Sequence, residues 1–197
     1  MKSDSGDMND RDLAEVVVEA LHEGIIPWCY PISMIPELAP TFGKLFRGEP
    51  MNEGNYTELD AIIAATGAKI IHHWRSRMAR FHRIRDKIVL PLRSRFQGEA
   101  HYQATRIHEI LHYLEHPWRL GWIGSDHQSE LVCEVGTGLL ELCLRLPPDH
   151  DLTNINKWLP QWSTGIAENH RYLFDAMAQA ERSVNYLLTL RQQRESA

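Results

Sequence analysis

The chain has 197 residues, 43% of them apolar and 24% charged, with a net charge of −5. That composition can build a hydrophobic core and excludes a disordered chain, and its 12 Gly and 10 Pro follow no period, which excludes a collagen-like one. No run approaches the roughly 18 apolar residues of a membrane-spanning helix. The opening Met1-Lys2-Ser3-Asp4 leads into acidic residues rather than an apolar signal segment. No membrane partner is therefore expected, and the cytoplasm is the expected location. Cys29, Cys133 and Cys143 form no CxxC pair and are read as reduced thiols.

In chain order, residues 3–10 are polar and acidic. Leu13, Val16, Val17, Ala20 and Leu21 then recur with helical spacing, which predicts a helix over 11–23 stopped by Gly24. Residues 25–56 carry Pro27, Pro31, Pro36, Pro40 and Pro50 with Gly43, Gly48 and Gly54, an irregular connection. The expected organisation is a short N-terminal segment, 1–56, and a main domain, 57–197. A helix is predicted over 57–66, with Leu59, Ile62 and Ile63 on one side and Gly67 as its stop. Residues 68–74, 79–84 and 87–91 are rich in β-branched and aromatic residues and read as strands, the last two joined by a turn at Arg85-Asp86. Helices follow over 99–115, 128–146, 154–162 and 168–192. Helix, strands and then helices indicate an α+β fold: a small sheet and a helical C-terminal half.

Charge is unevenly placed. Arg75, Arg77, Arg80, Arg83, Arg85, Lys87, Arg93 and Arg95 lie in one short segment opposed only by Asp86, which gives it +7 on an otherwise acidic chain. Such a stripe can hold a phosphate backbone; it can equally be a solvated face paired to the acidic remainder.

The sharpest signal is His108-Glu109-Ile110-Leu111-His112, an HExxH sequence on a predicted helix. Residues i and i+4 share a helical face, so both imidazoles can bind one metal ion, and zinc (Zn2+) suits two imidazoles and a carboxylate with one position left for water. Glu109 is the residue that would take the proton of that water. The next helix carries Glu130 and Glu134 on one face. In several zinc-peptidase families the ligand Glu is followed four residues later by a polar residue that supports a ligating His. That pattern favours Glu130 as third ligand and Glu134 as support, and the reverse stays open. His116 lies four beyond His112, but Glu115 stands where HExxHxxGxxH would need glycine, so His116 is read as a supporting or structural residue. Cys133 is read as a small buried hydrophobe.

Four motifs in register resemble the zincin-like domain of ArdC/TraC-type antirestriction proteins: Ala64-Ala65-Thr66-Gly67-Ala68, the Phe81–Phe96 hairpin, the Tyr102–His116 helix and the Glu130–Leu140 helix. Trp158-Leu159 and residues 176–188 are similar to the close of that domain. Residues 20–28, ALHEGIIPW, are similar to the opening of the family's N-terminal single-stranded-DNA-binding domain, most of which has no counterpart here. The resemblance implies a zincin-like metallopeptidase fold, its sheet packed on the HExxH helix. It also implies a zinc-dependent peptidase-like protein, found on plasmids and phages and associated with protecting incoming DNA from restriction. Two functions compete beside the plainer one of an interaction protein with a decayed site. In the first, a peptide or protein substrate lies along an edge strand within 79–91 and is hydrolysed, with Tyr102, His116 or an Arg of the stripe stabilising the oxyanion. In the second, the stripe (Arg75, Arg77, Arg80, Arg83, Arg85, Arg93, Arg95) and Trp74, Trp28 or Phe81 bind single-stranded DNA, and the zinc is structural.

Overall fold

The computed structural model describes residues 56–195 apart from Ile123, His150 and His170. The helix expected over 11–23, the proline-rich connection, Trp28 and the sequence similar to a DNA-binding domain lie outside the described residues.

Helix α1 (Thr57–Ala65) buries Leu59, Ile62 and Ile63, the side its sequence marks as apolar. Thr66 folds back to donate to the Ile63 carbonyl, and Gly67 takes a φ of +69°, which ends the helix as a glycine allows. Strands β1 (Ile70–His72), β2 (Arg80–His82) and β3 (Lys87–Leu90) form one mixed sheet in the order β1-β3-β2. β1 runs parallel to β3 with Ile70 beside Ile88, and β2 runs antiparallel to it with Phe81 beside Ile88. All three strands are shorter than the sequence suggests. After β1 the chain turns, the Ser76 N–H donating to the His73 carbonyl. In place of a two-residue hairpin, a 3-10 turn (Arg83–Arg85) carries Ile84 fully into solvent, and Asp86 takes a positive φ of 44°. The Asp86 carboxylate is held by Arg119 at 2.6 and 2.7 Å, which fixes that turn against the far end of the next helix.

Four helices complete the domain: α2 (Glu99–Leu114), α3 (Asp126–Leu144), α4 (Thr153–Glu168) and α5 (Arg171–Glu195). α3 starts two residues before its expected position and ends two before it, where Arg145 adopts a left-handed conformation (φ 56°) ahead of the Pro pair. α4 continues through Pro160 and runs a turn and a half beyond its expected end at 162, because Trp162 and Ile166 are buried and the Trp162 indole donates to the His127 carbonyl at 2.6 Å. Asn169 is extended and its side chain accepts the Arg171 N–H, so α5 begins later than its periodicity alone suggests. α5 lays Leu173, Ala176, Met177, Ala180, Val184 and Leu187 against α3 and α1, closing the core. α2 packs on α3 closely enough that a Cβ at Gly136 would lie 2.8 Å from a Leu111 methyl. Among the described residues, no helix is long and apolar enough to cross a membrane.

Candidate metal centre

The HExxH helix is anchored by one face and works with the other. Ile107, Ile110, Leu111 and Leu114 are buried in the core. His108 and His112 project from the adjoining face into a cleft of about 830 Å³, bounded by α2, α3, the start of α4 and the edge strand β2. Their Nε2 atoms lie 3.2 Å apart. Glu130, from the first half of α3, places one carboxylate oxygen 3.4 Å from the His108 Nε2 and the other 3.7 Å from the His112 Nε2. Two donors each about 2.1 Å from one tetrahedral ion are roughly 3.4 Å apart. The three separations therefore fit a single divalent cation, and the donor set of two imidazoles and a carboxylate is that of a divalent-metal site.

Around these three residues lies a ring of hydrogen-bonding groups. Glu134 sits 3.2 Å from the His108 Nδ1, the position the sequence offers for a supporting residue. His112 has its own support in Glu115, whose carboxylate is 3.2 Å from Nδ1 and accepts from the Ser129 hydroxyl at 2.6 Å. Glu115 is buried; in the sequence it stands only where HExxHxxGxxH would need glycine, and its spacing of three from His112 is the signal that could have identified it. Asn154, at the start of α4, donates to Glu130 (3.0 Å) and to Glu134 (2.6 Å), clamping the two carboxylates together. No periodicity points to Asn154.

The electrostatics follow from this crowding. Burial alone would lower the His108 pKa, but hydrogen bonds to Glu130 and Glu134 outweigh it and hold the imidazole well above its ordinary range. Burial pushes Glu130 up, yet the His108 hydrogen bond and charge and the Asn154 amide overcome it and hold the carboxyl at about 2. Glu109 moves the other way: burial raises it, opposed by the two imidazoles and a backbone hydrogen bond from Phe81. Its Oε2 is buried with no partner among the described residues, in the wall of the same cleft.

A second donor set overlaps the first, since His108, His112 and Cys133 place ligand atoms within 4.8 Å of one another. The Cys133 sulfur, however, is 3.3 Å from the His112 Nδ1, on the Glu115 side of the ring, whereas Glu130 faces both Nε2 atoms. Glu130 therefore fits the ion better. Cys133 is not the inert apolar residue the sequence suggests, because it touches His112 and Glu115; burial pushes its thiol well up.

Other expected participants are placed elsewhere. His116 is buried between Phe81 and Trp118, with ring centroids at 6.2 and 4.6 Å, and serves the corner after α2 rather than the cleft. The Tyr102 hydroxyl pairs with His72 at 3.1 Å, and its ring lies under Arg93 and Arg106, outside the cleft lining. The arginine stripe divides. Arg77, Arg80, Arg83 and Arg95 line the cleft. Arg93 is paired with Glu99, and Arg75 lies 4.5 Å over the exposed Trp74 ring. Arg85 is exposed at the turn before β3.

Comparison with known proteins bears on this arrangement. Residues 57–179 match the family described as zincin-like metallopeptidase. Two DNA primases TraC from Escherichia coli are similar. One is 30% identical over 138 residues (66% of this chain, 13% of the primase), and the other 27% identical over 170 residues (77% and 12%). Among solved structures, the antirestriction protein ArdC of plasmid R388 is similar in its Mn(II)-bound form, with a TM-score of 0.62 and 27% identity over 73% of this chain and 55% of that one. Its metal-free form gives 0.62 and 28%, over 74% and 54%. The chain spans a small part of each primase and about half of ArdC.

Proposed function

This chain belongs to the zincin-like metallopeptidase family, of the ArdC/TraC type, and from that premise we propose that it is a metal-dependent peptidase of the antirestriction class. The observation that carries the reading is the convergence of His108, His112 and Glu130 on one point beside the buried Glu109 carboxylate, whose Oε2 has no partner among the described residues.

His108, His112 and Glu130 would hold the cation; zinc is the expected ion, and the same nitrogen and oxygen donors accept manganese. The cation when bound supplies Lewis acidity, polarising a carbonyl and acidifying water. Glu109 receives the proton of the attacking water and returns it to the departing amine. Glu134 and Glu115 hold the two imidazoles by their Nδ1 atoms, leaving each Nε2 for the ion. A peptide strand lies along β2. The Ile88 N–H donates to Lys69 on the β1 side, so its neighbour Phe81 turns its own N–H and carbonyl away from β3. Elemental analysis of purified protein beside His108→Ala and Glu130→Ala, and hydrolysis of a fluorogenic peptide library by wild type and Glu109→Gln, test the reading. Near-stoichiometric metal lost in both ligand variants, with cleavage lost in Glu109→Gln, is expected. A well-folded wild type that takes up no added zinc or manganese would sink it.

A single-stranded-DNA-binding module is the second reading, supported by the exposed Trp74 with Arg75 stacked on it. Salt-sensitive oligonucleotide binding that survives Glu109→Gln and is lost in Trp74→Ala would favour it.

A further inference from the structure

The cleft above the metal centre is polarised. One wall, along β2 and the segments flanking it, carries Arg77, Arg80, Arg83 and Arg95. The Arg95 guanidinium is occupied by the Ser76 carbonyl. Arg77, Arg80 and Arg83 are exposed and have no carboxylate within ion-pair distance among the described residues. The field is felt locally: burial, then Arg80, Arg85 and Lys87, depress the His82 imidazole. The opposite wall carries Glu130, Glu134, Glu141, Asp149 and Asp151, of which Glu130 and Glu134 face the two imidazoles and Asp149 and Asp151 face His101 at 3.2 and 3.3 Å.

Resting on the peptidase reading, we propose that the cleft selects a peptide segment bearing Asp or Glu side chains, which the free guanidiniums of Arg77, Arg80 and Arg83 receive as the segment pairs with the outer edge of β2. A strand presents side chains alternately to its two sides, so acidic residues can face the arginine wall while small or apolar ones face the carboxylate wall. A single-stranded nucleic acid could also turn its phosphates toward these arginines, so it is the unpaired outer edge of β2 that favours a peptide. The outward Phe81 carbonyl, whose companion N–H is turned to Glu109, is an acceptor that a peptide N–H can meet on this edge.

The test separates binding from cleavage. Zinc-loaded Glu109→Gln protein is titrated against three fluorescein-labelled probes by anisotropy at low salt: an extended peptide with Asp at alternate positions, its Lys counterpart, and oligo-dT of similar length. The Asp peptide is expected to bind roughly tenfold or more tightly than the Lys peptide. Added salt should shrink that preference. The preference should vanish in the triple variant Arg77→Ala, Arg80→Ala, Arg83→Ala, and return in part with lysine at those positions. Unchanged circular dichroism and zinc content establish that the triple variant is folded. Equal affinity for the two peptides, binding by neither, or displacement of the Asp peptide by oligo-dT each overturns the proposal. Cleavage by wild type is scored separately. Acidic-peptide binding without cleavage refutes the peptidase reading alone, whereas cleavage indifferent to peptide charge refutes the selection alone.

Discussion

Glu115→Gln isolates a contact that no motif predicts. The Glu115 carboxylate is 4% exposed, lies 3.2 Å from the His112 Nδ1 and accepts from Ser129 at 2.6 Å. It therefore holds the proton on Nδ1 and leaves Nε2 as a lone-pair donor toward Glu130 and His108. An amide of the same shape removes the charge. Where its NH2 group meets Nδ1, it also drives the imidazole to the tautomer that cannot bind an ion through Nε2. Removing such a support lowers metal affinity by about 10- to 100-fold, or about 1.4 to 2.7 kcal/mol. The burial of the contact places the expectation in the upper half of that range. Zinc competition against a chromophoric chelator measures the loss, with Glu134→Gln as its counterpart on His108. Thermal melting of the metal-free protein in chelator establishes that both variants fold. If Glu115→Gln holds zinc within twofold of wild type while its metal-free melt is unchanged, Glu115 does not support His112 and the reasoning fails.

Three further outcomes are expected. In metal-free protein the hydrogen bonds from His108 to Glu130 and Glu134 outweigh burial and keep its imidazole protonated at neutral pH, so zinc binding at pH 7 should release a proton and strengthen as pH rises. Calorimetry in buffers of differing ionisation enthalpy measures it, and heats independent of buffer would refute it. Burial, then Asp149 and Glu134, push Glu141 up to about 8, against 4.5 for the free group. Between those values the folded protein keeps a proton that the unfolded chain releases, so metal-free stability should fall by about 1.4 kcal/mol per pH unit over that window. Glu141→Gln should flatten the slope in urea titrations at pH 5 and 8, and an unchanged slope would refute the assignment. A Cβ at Gly165 would lie 2.9–3.0 Å from three atoms of the Tyr172 ring, which is buried and tied to His127 through its hydroxyl at 2.7 Å. Crowding should outweigh the helix-propensity gain, so Gly165→Ala is expected to cost about 1 kcal/mol, read by chemical denaturation.

The sequence alone carries whatever is local. Side chains four apart on a helix share a face whatever the rest of the chain does, so His108 and His112 are legible as a candidate metal-binding pair, and so is a carboxylate pair on the following helix. The apolar face of α1 and the glycine stop at Gly67 are equally local, and the structure has both where the sequence predicts them. Sequence could not order Glu130 and Glu134, because both lie on one face of α3. The crossing of α2 and α3, set by the close approach at Gly136, puts Glu130 on the Nε2 side of His108 and Glu134 on its Nδ1 side. Ser129 and Asn154 become part of the site only where separate elements meet, and no periodicity records such a meeting, whereas Glu115 lies three residues from His112 on the same helix end. The same holds for the charge stripe. Along the chain it is one run of cations, but in the fold Arg93 and Arg75 are engaged elsewhere while Arg77, Arg80 and Arg83 face the cleft. Residue spacing thus determined which chemistry was available, and tertiary packing decided which groups perform it, because metal coordination and charge selection depend on distances between elements that only the packed core sets.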